Sequence, residues 1–143
     1  WRLGMAVGNA EVIDYLFTYK SQMDTSTFSP IFSAGVKALT GSQDWLVERN
    51  QVYKDRRDLV VNGLKQAGFT LEAPKAAIYV WAQLPAGETD SIHFCNRLLE
   101  ETGISTTPGI VYGKHGEGYL RVSLGTATNR IREAMNRLVD WKR

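Results

Sequence analysis

The chain has 143 residues, 43% of them apolar, which suits a compact domain with a core and argues against a disordered or fibrous chain. Its 17 basic and 15 acidic residues give a net charge of +2, and the basic residues are spread along helices, so no nucleic-acid or membrane-surface partner is expected. No apolar run approaches the length of a membrane span and no charged-then-apolar leader opens the chain, which predicts a soluble, cytoplasmic protein. The first residue is Trp1, and the expectation is a piece of something longer.

Trp1 to Val7 reads as a short strand broken by Gly4, after which Gly8-Asn9 supplies a turn and an N-cap. A helix follows from Ala10 to about Met23, with Val12, Ile13, Leu16 and Phe17 on one face and Lys20 in its last turn. Asp24 to Phe28 is a polar loop. Ser29-Pro30 then combines a capping hydroxyl with a proline at the first helical position, and Gly41 ends that second helix.

Ser42 and Asp44 open the longest helix, predicted to run to Ala67 on a stripe of Trp45, Val52, Tyr53, Leu59, Val60 and Leu64, with Gly68 as its stop. At about 1.5 Å per residue it is long enough to span two domains. Strands are expected at Phe69 to Leu71 and Ile78 to Leu84, and a helix capped by Asp90 carries Phe94, Cys95, Leu98 and Leu99 up to Gly103. Ile104 to Thr107 reads as a strand stopped by Pro108-Gly109. Four glycines, at 109, 113, 116 and 118, form a loop that lacks the helix start and Lys-Ser/Thr pair of a nucleotide loop. The last helix begins at a Thr128 cap and turns Ile131, Met135, Leu138 and Val139 inward.

Between Gly118 and Gly125 the residues alternate with period two. Tyr119, Arg121 and Ser123 lie on one side, Leu120, Val122 and Leu124 on the other, the pattern of a half-buried strand. Its polar side sets one guanidinium between a phenol and a hydroxyl, an arrangement suited to a planar anion such as a carboxylate. A solvated strand face is the competing reading. Cys95, the single cysteine, sits among Phe94, Leu98 and Leu99 and reads as a core residue, while His93 and His115 have no metal-binding spacing. The expected fold class is α+β: a small, mostly antiparallel sheet backed by helices, preceded by a long interdomain helix and the tail of a neighbouring domain.

Four segments in this order, Trp1-Arg2-Leu3-Gly4, Ala73-Pro74 ahead of Ala77-Ile78-Tyr79-Val80-Trp81, Pro108-Gly109, and Gly118-Tyr119-Leu120-Arg121-Val122-Ser123, carry a resemblance across the whole chain. They resemble the C-terminal half of fold-type I pyridoxal-phosphate aminotransferases. Val7 to Gly41 and Gly116-Glu117-Gly118-Tyr119 are most similar to the LL-diaminopimelate and related aspartate or alanine enzymes. The resemblance implies transamination in amino-acid biosynthesis, with pyridoxal 5'-phosphate as cofactor, an amino acid and a 2-oxo acid as substrates, and a homodimer.

Residue by residue, it implies that Arg2 contacts the cofactor phosphate and that Arg121 binds the substrate α-carboxylate. The family's Schiff-base lysine precedes the segment that Trp1-Arg2 matches, so no residue here is assigned a catalytic role and the chain by itself is expected to be inactive. Residues 1–41 are expected to be the tail of the large cofactor-binding domain, 42–68 the interdomain helix and 69–143 the small C-terminal domain. The first of these should self-associate through Leu16, Phe17, Phe28, Ile31, Phe32 and Leu39 when that large domain is absent. The loop Asp24-Thr25-Ser26-Thr27-Phe28 offers an acid and hydroxyls where dicarboxylate-specific relatives carry an arginine, which suits a substrate whose far end is an ammonium. The alternative is a free-standing α+β module that binds carboxylates through Arg121.

Overall fold

The computed structural model describes residues 2–141. Among them are helices α1 (Ala10–Met23), α2 (Ser29–Thr40), α3 (Asp44–Gln66), α4 (Ser91–Thr102) and α5 (Thr128–Trp141), and strands β1 (Tyr79–Gln83), β2 (Thr107–Pro108) and β3 (Tyr119–Ser123). The chain divides into two compact units, residues 1–47 and 48–143, so the first turn of α3 belongs to one and the remainder to the other. None of these helices is long and apolar enough to cross a membrane.

In the first unit both expected helices form, the Ser29 cap does not, and neither does the strand. Asn9 caps α1, its Oδ1 accepting from the Val12 amide at 3.3 Å, and Lys20 ion-pairs with Asp24 one turn on, at the helix end. Ser29 lies inside α2 rather than capping it. Phe28 takes the cap position without a side-chain bond, and Pro30 falls in the first turn, where its missing N–H would have found no helical partner. The expected strand is not formed: residues 2–7 are irregular and exposed, and Trp1 lies outside the described residues. A strand exists only against a partner edge, and the three strands that form pair with one another in the second unit. Neither α1 nor α2 contains a buried residue, and Val7, Phe17 and Phe28 are 85%, 70% and 69% exposed.

The second unit holds the core. Its sheet has the order β1-β3-β2 and is antiparallel throughout, with Val80 opposite Val122, Trp81 opposite Arg121 and Thr107 opposite Arg121 on the other edge. Period-two alternation sends Val80, Ala82 and Leu120 into the core, with Val122 packed at its margin. Against that face lie Val60, Val61 and Leu64 of α3, Phe94, Cys95 and Leu98 of α4, and Ile131, Met135 and Leu138 of α5. Helix α3 comes close to α5 at Gly63, where a Cβ would meet the Met135 side chain at 2.8 Å.

Several expected boundaries shift for physical reasons. Phe69 to Leu71 contributes a single bridge, Thr70 to Gln83, and Phe69 is drawn into the core. Of Ile104 to Thr107 only Thr107 pairs, opposite Arg121, and Pro108 continues the strand opposite Leu120 instead of stopping it; as an edge strand β2 can carry a residue without an amide donor. Only the second half of α3 is buried, while Trp45 and Val52 remain 49% and 39% exposed. Leu99 of α4 is 46% exposed as well. Thr128 is the first residue of α5, and its Oγ1 accepts from Arg56 Nε at 3.1 Å. The same guanidinium donates from Nη1 to the Leu124 carbonyl at 3.1 Å, tying α3 to the segment after β3.

Phe94 is fully buried and packs edge-on against Phe69 and Trp141, at centroid distances of 5.6 and 5.8 Å. A Phe94→Ala change should lower unfolding stability by about 3–5 kcal/mol, measured as a loss in urea midpoint at unchanged slope.

Candidate functional site

The site is the sheet face turned away from the core. Tyr79 and Trp81 of β1 share it with Tyr119, Arg121 and Ser123 of β3. Arg121 is half-buried in the central strand. Its Cζ lies 4.0 Å from the centroid of the Tyr79 ring and 4.8 Å from that of Tyr112. Such contacts are worth about 0.5–2 kcal/mol each, depending on how far the cation is desolvated.

Arg121 therefore stands between neighbours other than those expected. Tyr119, two residues before it, stacks on Trp81 at 5.6 Å, and the Ser123 hydroxyl accepts from the Gly125 amide at 3.2 Å. The reason is register. In an antiparallel pair the diagonal neighbour on the next strand reaches a long side chain, and both Tyr79 with Arg121 and Trp81 with Tyr119 are such diagonals. Among the described residues the guanidinium has neither a hydrogen-bond acceptor nor an ion-pair partner.

Tyr112 arrives from the glycine loop. Two 3-10 turns, Gly109–Tyr112 and Lys114–Gly116, fold so tightly that a Cβ on Gly109 would sit 2.0 Å from the Gly116 carbonyl oxygen, and one on Gly116 would sit 2.1 Å from that of Gly109. Only glycine allows two backbones to approach so closely. Ser91, fully buried at the start of α4, fastens both ends of this loop: its Oγ accepts from the Ile110 amide at 3.3 Å, and its amide donates to Glu117 Oε1 at 2.6 Å. Glu117 also accepts from the Gly118 amide at 3.0 Å. Trp81 packs edge-on against the Tyr112 ring at 5.6 Å. Sequence reasoning singled out none of Tyr79, Trp81 or Tyr112 for this site; the first two were visible as the outward positions of β1, and the third had no local signal.

Arg2 lies in the first unit and Arg121 in the second. Arg2 is exposed and has φ of +60°, a left-handed backbone that costs a non-glycine residue about 1–2 kcal/mol. Its guanidinium makes no hydrogen bond or ion pair among the described residues, which leaves the donor set a phosphate dianion requires. Cys95 is the core residue expected: burial pushes its thiol up, and the Thr106 hydroxyl donates to its sulfur at 3.2 Å. Asp24, in the loop expected to meet a substrate ammonium, already accepts from Lys20.

The architecture is that of an α+β domain presenting one uncommitted arginine on an open sheet face. The chain belongs to the family described as aminotransferase class I and II, whose family model matches residues 1–138. It is 43% identical over 141 residues to the LL-diaminopimelate aminotransferase of Natranaerobius thermophilus, covering 99% of this chain and 36% of that protein. It is 46% identical over 138 residues to the enzyme of the same name from Moorella thermoacetica, covering 96% and 35%. Among solved structures, a probable N-succinyldiaminopimelate aminotransferase from Thermus thermophilus superposes with a TM-score of 0.84 at 28% identity, covering 94% of this chain and 36% of that one. The aspartate aminotransferase of Rhizobium meliloti gives 0.78 at 32%, covering 91% and 35%. The chain thus spans little more than a third of the length of these relatives.

Glu117 offers a pH test of the loop. The Ser91 amide, the Ser91 hydroxyl and the Gly118 amide hold its carboxyl below the ordinary value of 4.5. A lowered folded-state pKa stabilises the fold above pH 4.5 and loses that contribution as pH falls through the folded value. Glu117→Gln keeps the acceptor oxygen without the charge, so the acid limb of the urea midpoint between about pH 5 and 3 should flatten. The share due to Asp58, lowered by hydrogen bonds from Arg57 and Lys54, should remain.

Proposed function

We propose that the protein containing this chain is a pyridoxal-phosphate aminotransferase that moves an amino group between LL-diaminopimelate and a 2-oxo acid, acting as a homodimer. The observation that carries the reading is Arg121, half-buried on the central strand with every N–H of its guanidinium uncommitted among the described residues. A guanidinium matches a carboxylate as a two-point fork, so it fixes the orientation of the α-carbon as well as the position of the substrate. Positioning of that kind is worth several kcal/mol of barrier.

Arg2 would hold the cofactor phosphate through a permanent charge that needs no proton. When bound, the cofactor supplies the electron sink for carbanion chemistry. Neither Lys20 nor Lys37 matches the family's cofactor lysine, and the 143-residue chain alone is expected not to transaminate. The choice of diaminopimelate is supported by relatives of that name at 43% and 46% identity. The homodimer is supported by the family to which the chain belongs. A free-standing carboxylate-binding module is the weaker reading, since the family match runs through both units.

In the full-length protein, Arg121→Leu should lower kcat/KM for LL-diaminopimelate by about 2–4 kcal/mol, or roughly 30- to 1,000-fold, while cofactor absorbance is retained. Unchanged kcat/KM would count against the assignment. Arg2→Ala should act in the opposite order, releasing cofactor before it affects substrate. The 143-residue chain incubated with pyridoxal phosphate and borohydride should show no stoichiometric labelling of one lysine. A full-length enzyme that prefers aspartate to diaminopimelate by a large factor would reject the substrate assignment.

A further inference from the structure

We infer that Tyr79 and Tyr112 are positioning residues for Arg121, holding its guanidinium where its N–H groups meet a substrate carboxylate, and that Trp81 braces Tyr112 in that task. The inference rests on the reading of Arg121 as the carboxylate anchor.

An arginine has a long, flexible side chain, and an anchor is useful only if that freedom is removed before the substrate arrives. The usual means is an acidic or carbonyl partner, which consumes N–H donors. Arg121 has no such partner among the described residues; its Cζ instead lies over the Tyr79 ring at 4.0 Å and the Tyr112 ring at 4.8 Å. Ring faces attract the cation without taking its hydrogen bonds, so the whole fork remains for the incoming anion.

Each ring is itself fixed, and by a different element. Tyr79 is set by its place opposite Ser123 in the β1–β3 ladder, one diagonal step from Arg121. Tyr112 closes the first 3-10 turn of the glycine loop, whose path is fixed by the Gly109–Gly116 contact and by Ser91. Trp81 meets Tyr112 edge-on and is backed by Tyr119, stacked at an interplanar angle of 15°. The sheet and the loop therefore meet at one guanidinium, which gives the glycine-rich segment a role other than phosphate binding.

The test uses the full-length protein and two ligands that differ only at the carboxylate, 2-methylalanine and its carboxamide, with dissociation constants measured by calorimetry. Tyr79→Leu and Tyr112→Leu should each weaken 2-methylalanine about tenfold and the carboxamide less than about twofold, and should raise the substrate KM more than they lower kcat. Tyr79→Phe and Tyr112→Phe, which keep the ring, should stay within about twofold of the parent protein. Tyr79 and Tyr112 are 38% and 49% exposed, so their truncation leaves the core intact, and an unchanged thermal midpoint verifies it. Equal weakening of both ligands would mean a general structural role and would overturn the inference. Unchanged 2-methylalanine binding in the leucine variants, with loss in Arg121→Leu, would overturn it and leave the anchor standing. No loss in Arg121→Leu would remove both.

Discussion

Strand β3 is paired on both edges, and the rest of the second unit depends on that constraint. With β1 on one side and β2 on the other, its backbone cannot slip or rotate without breaking two ladders. The alternation of its side chains then becomes a fixed division of labour, Leu120 and its neighbours toward three helices and Arg121 away from them. A one-residue slip would exchange the two sets and bury a guanidinium against Val60, Phe94 and Leu138. The apolar core and the cationic site are therefore two sides of one register.

The loop before β3 extends the same economy. Ser91 is a buried polar residue at the first turn of α4, and it both receives the Ile110 amide and binds Glu117, so that one helix start fixes the two ends of a glycine-rich segment. Buried hydroxyls and amides without partners are costly, and here each satisfies another. The side chain delivered by this arrangement is Tyr112, held by Trp81 at the sheet. Arg121 accordingly receives one ring from the ladder beside it and one from a loop built by different forces.

What could be read in the sequence was what is encoded locally. Asn9 and Asp90 cap their helices through side chains that reach an amide three residues on, and Gly103 ends α4 in the left-handed conformation, all within a few residues of one another. The alternation from Tyr119 to Leu124 is likewise local. The strand at residues 2–7, the extra strand residues near Phe69 and Ile104, and burial along the first half of α3 each required a partner surface that local pattern does not specify. Arg121 was legible as a candidate and through family resemblance, but its aromatic neighbours were not. Tyr79 reaches it through cross-strand register and Tyr112 through the path of a loop, and neither relation has a fixed spacing in the chain.

The contact between Gly109 and Gly116 separates two kinds of heritable freedom in this loop. Those two positions are closed to every other amino acid by sub-van-der-Waals distances to backbone atoms, whatever reaction the protein catalyses. Of the positions they bracket, Gly113 at φ +110° also favours glycine, whereas Val111 and Tyr112 face no such exclusion and are 65% and 49% exposed. A lineage can therefore rewrite the surface beside the arginine one side chain at a time while the scaffold beneath it stays unchanged. Selectivity in this part of the molecule can drift or be selected without renegotiating the fold.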